Sequence, residues 1–566
     1  MAAAARGGPP PSVAVIILVF LLSLLGSLPL VSRYHLDEGW YTNAAIQMVQ
    51  SGDYVTPRYA DGSLRFRKPI LTYWVLATSY ATLGIGLVSS RLPFLLAACA
   101  TLWVTYRLAR SVTQDPRIGL LAAALLGSNI LFMESATKAT PDILQCLFIT
   151  LSLWGATELL FNRRDDPRWY ALFYVGAGLG IATKGLLPFA VIAWPLLFTR
   201  LLPSETDRPP RLFHVGWLMA GLVVGLSWLA GSLLLRGPEV ATTLFEDQVG
   251  QRLEGAHRLF LSNIALYLLT PFRFFAPWFV MLGILAVVQR DLLRASVRQQ
   301  GRWFWFVLGW LLVNVAVFSF GNLMRPRYLL PTFPLLAVLL AGLLQQTMQG
   351  RPARVIQHIL QWVFRAATGV GVVLALVGWR IDQRFAIGGF CLSGVLLLLD
   401  WAAFRRSALP QLIALGLAIM VAFGTLEQFL KPVVITSPAA ELTQRLLALN
   451  PPPERIATVG LRHSVANQIR LLSGGRLALR EFPDNEGQET VRHFPVILAP
   501  PPLYHTLAED PSYTSKACVL EYQPLSAEEL WSALKTGERA PKHEKDQKRY
   551  YLIRKQAGNG TSERPS

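Results

Sequence analysis

VAVIILVFLLSLLGSLPLV, residues 13–31, is an unbroken apolar run of the length that crosses a bilayer, since a hydrocarbon core takes about 20 apolar residues of helix. Only Arg6 precedes it as a charge, and it ends in Leu30-Val31-Ser32-Arg33-Tyr34 with no small-x-small cleavage site, so it reads as an uncleaved first span and not as a signal peptide. The stretch after it has another character. An acidic pair, Asp37-Glu38, follows at once, and a basic cluster, Arg65-Phe66-Arg67-Lys68-Pro69, closes the same loop.

The apolar run recurs: about thirteen such segments can be marked between Val13 and Leu430, the last from Gln411 to Phe429. With 52% hydrophobic and 16% charged residues in 566, the chain is too apolar for an ordinary soluble protein. The expectation is an all-α polytopic membrane domain over residues 1–430, with its chemistry in the first outer loop, 33–69. After Leu430 polar and apolar segments mix: Ala439 to Leu449, Ile456 to Gly460, Val465 to Leu472, Val496 to Leu498, Ala517 to Tyr522, Ala527 to Leu534 and Tyr550 to Ile553. This predicts a small α/β soluble domain over 431–555, for recognition or support, and a disordered tail over 556–566.

Short basic loops set orientation. Arg107, Arg110 and Arg117, then Arg163, Arg164 and Arg168, then Arg290, Arg294, Arg298 and Arg302, place the N-terminus inside. With thirteen spans the two ends lie on opposite sides, so the acid-bearing loop and the C-terminal domain face outward, which is the periplasm if the cell is Gram-negative. The outer loops nonetheless carry Arg58, Arg65, Arg67, Lys68, Arg252, Arg258, Arg325 and Arg327. They concentrate in a few places, which suits an anionic ligand. The net charge of +18 comes without any helix-turn-helix, zinc-finger or aromatic RNA-binding pattern, so nucleic acid is set aside in favour of membrane lipids and lipid phosphates. Cys99, Cys146 and Cys391 lie in apolar runs and Cys518 stands alone; neither disulfide nor metal spacing is present.

Within the first outer loop Trp40, Tyr41, Ala44, Ala45, Met48 and Val49 recur at helical spacing, which predicts an amphipathic helix lying in the membrane interface. Ser51-Gly52-Asp53 ends it and Asp61-Gly62-Ser63 makes a turn. Pro69 suits the first position of the next helix, leaving Lys68 at a dipole-positive end that attracts anions.

The run Asp37-Glu38-Gly39-Trp40-Tyr41, with Ser51-Gly52-Asp53-Tyr54, Arg67-Lys68-Pro69-Ile70 and Tyr73-Trp74, resembles the first outer loop of the integral-membrane GT-C glycosyltransferases. Within that superfamily it is most similar to the lipid A aminoarabinose transferases and the related protein O-mannosyltransferases. Thr140-Pro141-Asp142, Thr183-Lys184-Gly185 and Arg325-Pro326-Arg327-Tyr328-Leu329-Leu330-Pro331 extend the match, and Gln251-Arg252 with His257 adds to it more loosely. Arg67 stands where the aminoarabinose enzymes often show Glu, and Arg325 where Lys is common. The resemblance implies transfer of a sugar, 4-amino-4-deoxy-L-arabinose first among the options, from a polyprenyl phosphate to lipid A or a related acceptor. It implies inversion at the anomeric carbon and the use of no metal and no cofactor. A monomer is expected. Protein O-mannosylation is the alternative in chemistry, and a transporter or flippase of lipid-linked substrates the alternative in class.

The residues agree with that chemistry. A departing phosphate needs fixed donors, and Lys68, Lys184, Arg252 and Tyr328 are the candidates, with Arg58 and Arg325 behind them. Asp37, supported by Glu38, would orient or deprotonate an acceptor; Asp142 is a further catalytic candidate and His257 a substrate contact. Each has a plainer reading: the acids as helix caps, Lys68 as a snorkelling anchor, Tyr328 as part of an aromatic belt. Lys184 stands between two spans with hardly a charge near it, where an ionisable group is a functional candidate by default.

Overall fold

The computed structural model describes residues 12–555 apart from 186, 203–210, 247–249, 251–255, 322–323, 349, 404–407, 435–436, 451–452, 454, 484–487 and 522–547. The helices that position the site are α1 (Val13–Leu25), α2 (Leu36–Ser51), α3 (Leu71–Leu83), α4 (Leu87–Thr113), α5 (Pro116–Gly127), α6 (Ile130–Ala136), α7 (Pro141–Leu160), α8 (Pro167–Lys184), α9 (Leu187–Leu201) and α10 (Val215–Arg236). Several start where local chemistry demands it. Asp115 and Asp166 each accept a hydrogen bond from the N–H two residues on, at 2.8 and 2.9 Å, and each precedes a proline whose fixed φ suits the first helical position.

Among the described residues eight helices are long and apolar enough to cross a membrane, and ten spans result if each of two bent helix pairs counts as one. The protein is a mainly helical, multi-pass membrane protein. Among the described residues thirteen crossings are not reached by length and composition; counting the two shorter apolar helices, α1 and α9, as well brings the number to twelve. In one bent pair α5 and α6 meet at 71°, because Asn129 in the break caps α6 through the Phe132 N–H and also donates to the Phe274 carbonyl at 3.1 Å. α8 and α10 cross backbone to backbone: a Cβ on Gly178 would sit 2.2 Å from the Gly221 carbonyl oxygen, the small-residue contact typical of membrane helices.

Among the described residues the C-terminal part carries five strands, β1 (Arg455–Val459), β2 (Ala478–Phe482), β3 (Val496–Ala499), β4 (Tyr513–Glu521) and β5 (Lys548–Lys555), in the order β2-β1-β3-β5-β4. β1 runs parallel to β2 and β3, and β5 antiparallel to β3 and β4. Ile456, Leu479, Val496 and Leu498 pack with residues of helices Ala439–Leu447 and His463–Leu472, while Ala457, Val459 and Ile497 pack on the other side with Phe494, Leu503 and Leu507. β2, which alternates poorly in sequence, is a strand the sequence reading lacked, and it forms an edge of the sheet. Residues 527–534, another of the expected segments, lie outside the described residues.

Two local expectations change. α2 does not lie free on a membrane surface: Glu38, Thr42 and Asn43 on it are buried together with its apolar side. It is held between α3, through a Tyr41–Tyr73 ring contact at 5.5 Å, and the C-terminal helix His463–Leu472, where Asn43 Nδ2 donates to Asn467 Oδ1 at 2.6 Å. Polar partners supplied from far along the chain make burial of its polar side tolerable. Pro69 is not the first residue of α3, which begins at Leu71 behind the cap Ile70; Lys68 therefore belongs to the loop. Gly52, in the left-handed region at φ 72°, ends α2 at the expected place.

Candidate active site

Asp37, in the first turn of α2, receives two guanidinium groups. Arg325 Nη1 donates to its carboxylate at 2.9 Å, and Arg327 Nη2 donates to the same oxygen. Arg327 also reaches the second carboxylate, with Nε 3.8 Å from Asp142 Oδ2. Asp142 Oδ1 accepts from Lys184 Nζ at 2.5 Å, and Lys184 Nζ stands 4.8 Å from the centre of the Tyr328 ring, which itself stacks on Phe318. Arg327 thus ties one acid of α2 to one acid of α7. The local sequence explains the convergence. Asp142 lies in the first turn of α7 and Lys184 in the last turn of α8, each at the helix end its charge favours. Gly185, at φ 101°, lets the chain leave α8 immediately after Lys184. Pro326 and Pro331 hold Pro326–Thr332 as a 3₁₀ turn, which presents Arg327 and Tyr328 beside the two helix ends.

These groups line one cavity of about 1690 Å³, to which Arg67, Lys68 and Arg65 also contribute. Its walls hold nine Lys or Arg against four Asp or Glu, an excess of positive charge, which attracts anions. Burial pushes the Asp37 carboxyl up, but Arg327 and then Arg325 more than reverse this, holding it below the usual carboxylate range. Burial and the Lys138 charge lower His35. Its Nδ1 accepts the Asp37 N–H at 3.2 Å. Arg65 is 5% exposed and sits over Trp40, Tyr41 and Tyr59, with its guanidinium carbon 5.3, 5.7 and 4.9 Å from their ring centres. Ring faces steady a buried cation there.

Of the residues singled out from sequence, Asp37, Asp142, Lys68, Lys184, Arg325 and Tyr328 meet at this cavity. Glu38 does not line it. It is fully buried behind α2, where Arg91 donates to its carboxylate through Nη2 at 3.0 Å and Nε at 3.3 Å, while Arg91 Nη1 donates to the carbonyls of Leu28 and Leu30. Arg58 also stays apart: it donates to the Gly62 carbonyl at 3.0 Å and braces the turn at Asp61-Gly62-Ser63. Arg252 and the side chain of His257 lie outside the described residues. Arg327 and Arg65 stand in the sequence among the outer-loop cations that suit an anionic ligand but not among the individual site candidates; their proximity to Arg325 and Lys68 was the available signal. The sequence had no signal for Arg91 or for the part of the wall drawn from the C-terminal sheet. No group of three or more His, Cys, Asp or Glu suited to a metal occurs among the described residues.

Residues 67–231 match the family described as dolichyl-phosphate-mannose-protein mannosyltransferase. A protein of Aquifex aeolicus described as uncharacterized is 27% identical over 366 residues, covering 64% of this chain and 68% of that protein. An undecaprenyl phosphate-alpha-4-amino-4-deoxy-L-arabinose arabinosyl transferase of Edwardsiella ictaluri is 25% identical over 400 residues, 69% of this chain and 71% of that one. The crystal structure of ArnT from Cupriavidus metallidurans bound to undecaprenyl phosphate has the same fold: the TM-score is 0.67 with 96% of this chain and 97% of that chain covered, at 19% identity. With that fold, those relatives and a cationic cavity that gathers two carboxylates, the chain is an integral-membrane glycosyltransferase of the GT-C type, similar to the aminoarabinose transferases.

Proposed function

We propose that this enzyme moves 4-amino-4-deoxy-L-arabinose from undecaprenyl phosphate to lipid A or a related phosphorylated glycolipid at the outer face of the bacterial inner membrane. The observation that carries this reading is the bridge Asp37–Arg327–Asp142–Lys184 inside a cavity with an excess of cations. The names of the relatives support the sugar and the carrier. In the proposed topology thirteen crossings put the N-terminus in the cytoplasm and the C-terminal domain in the periplasm.

In the reaction an acceptor oxygen attacks the anomeric carbon as the bond from that carbon to the phosphate oxygen breaks. The polyprenyl phosphate leaves with the electron pair, and the sugar inverts. Lys68, Lys184, Arg325 and Tyr328 receive the leaving phosphate, performing by fixed donors what a metal would otherwise do. Arg327 holds the carboxylates in place, and Asp37 faces the positive charge that builds on the sugar ring. A carboxylate lowered by two guanidiniums is a weak general base. Such a site suits an acceptor that is already anionic, such as a lipid phosphate, better than a neutral hydroxyl. A second reading, mannosylation of a protein hydroxyl, draws on the matched family over residues 67–231.

Purified enzyme in nanodiscs, given labelled undecaprenyl phosphate-aminoarabinose with lipid A and an exported polypeptide together, is expected to place label in the glycolipid fraction, and to do so equally after EDTA treatment. Label in the polypeptide from a polyprenyl-phosphate mannose donor would favour the second reading. Loss of transfer with EDTA, restored by a divalent cation, would overturn the metal-free mechanism.

A further inference from the structure

The cavity has a second wall that the reaction above does not use. Ala478, Leu479, Arg480, Glu481 and Phe482, the whole of β2, line it, so the edge of the C-terminal sheet, not one face of it, borders the site. At about 1690 Å³ the space exceeds the roughly 300–1,000 Å³ of a single small-ligand pocket. It has room for two head groups.

The charges on this wall are arranged unlike those beside Asp37. Glu481, its carboxylate, is already engaged: His463 Nδ1 is 2.7 Å from one oxygen and Arg470 Nη1 is 2.8 Å from the other. Arg455 and Arg480 have no carboxylate within ion-pair distance among the described residues. Each instead lies over a ring, with the Arg455 guanidinium carbon 5.8 Å from the Phe494 ring centre and that of Arg480 5.5 Å from the Phe482 ring centre. A guanidinium steadied by a ring keeps its N–H donors for a ligand, and its planar fork matches a phosphate. The parallel register pairs Arg455 with Ala478 and Ala457 with Arg480, so the two arginines stand on one face of adjacent strands, two positions apart. Both line the cavity.

We infer that Arg455 and Arg480 form a second anion subsite, which holds a phosphate of the acceptor while the donor phosphate occupies the Lys68–Lys184–Arg325 side. This rests on the transferase reading above and deepens it: the acceptor is a glycolipid selected by a phosphate group, and the C-terminal domain is the part that selects it. Asn43–Asn467 and the Trp40–His463 ring contact at 4.5 Å fix this wall to α2, the helix that carries Asp37. The two subsites thereby keep a set separation.

The test compares the wild type with the double variant R455Q/R480Q, each as the full chain in nanodiscs. The probes are diphosphorylated lipid A, the same lipid with its phosphates removed, undecaprenyl phosphate, and inorganic pyrophosphate. The variant is expected to bind diphosphorylated lipid A about tenfold or more weakly, the scale of losing a charge-assisted hydrogen bond. Its affinity for the dephosphorylated lipid and for undecaprenyl phosphate should stay within about twofold, as for distant independent sites, and the latter also reports an intact fold. Equal weakening for both lipids, loss of undecaprenyl phosphate binding, or no change at all would overturn the subsite. Displacement of the lipid by an equal concentration of inorganic pyrophosphate would assign the arginines to free phosphate and overturn the lipid assignment. Should the binding contrast hold while no sugar moves, the transfer reading fails and the subsite stands.

Discussion

Asp37→Asn is expected to lower the rate of sugar transfer by about 10²- to 10⁴-fold, the range for a positioned acid–base or charge-bearing group. Undecaprenyl phosphate binding should be retained. The substitution keeps the shape and one acceptor atom but removes the negative charge held between Arg325 and Arg327. Binding of an anionic donor does not need that charge; the transition state, in which the ring becomes positive, does. The loss should therefore fall on kcat with KM little changed. Single-turnover transfer in nanodiscs, together with a separate binding measurement, gives both numbers. Transfer within about threefold of wild type, a change too small for a lost transition-state contact, would remove Asp37 from the reaction.

Arg91→Ala is expected to be the most damaging change to stability outside the cavity, at about 3–5 kcal/mol, because removing one partner leaves a buried charge unpaired. Arg91 and Glu38 are both 0% exposed, and Arg91 also secures the carbonyls of Leu28 and Leu30 at the end of the first span. Thermal unfolding in detergent should show a clear fall in midpoint. The double change Glu38→Met with Arg91→Met removes both charges and should be less harmful than Arg91→Ala, since apolar residues often replace a buried pair with little cost. Sugar transfer by the double variant should remain within about tenfold of wild type, well short of the loss of a catalytic group. Transfer as low as that of Asp37→Asn in a folded double variant would return Glu38 to the chemistry.

Asp37 and Glu38 also show how far linear sequence reaches. Both stood out as acids beginning a helix after an apolar span. Neighbours on a helix point about 100° apart, so one carboxylate meets the cavity and the other meets α4. Which is which depends on where Arg91 lies, and it lies 53 residues further along. Lys68, Asp142, Lys184, Arg325 and Tyr328 were readable because each is a polar or charged group at the edge of an apolar run. Arg327 needs the fold to single it out, because the facing of its turn is set by packing against α7 and the helix Arg302–Ser319.

The chain's own order of residues was enough to establish a helical membrane protein with a charged first loop, since apolar length and the cost of intramembrane charge act locally and leave their mark at each span. In the C-terminal part it also carried the helices Ala439–Leu447 and His463–Leu472 and the strands β1, β3, β4 and β5, but not β2 or the helices Gln488–Val491 and Pro501–Ala508. The pairing of Asp37 with Arg327 and Arg325, the burial of Glu38, and the closure of the cavity by β2 came from packing alone. The contacts that seat the C-terminal part on α2 join groups as far apart as Gln50 and Gly475, 425 residues, and contacts of that span depend on how the helices and the sheet settle against one another, which no local spacing encodes.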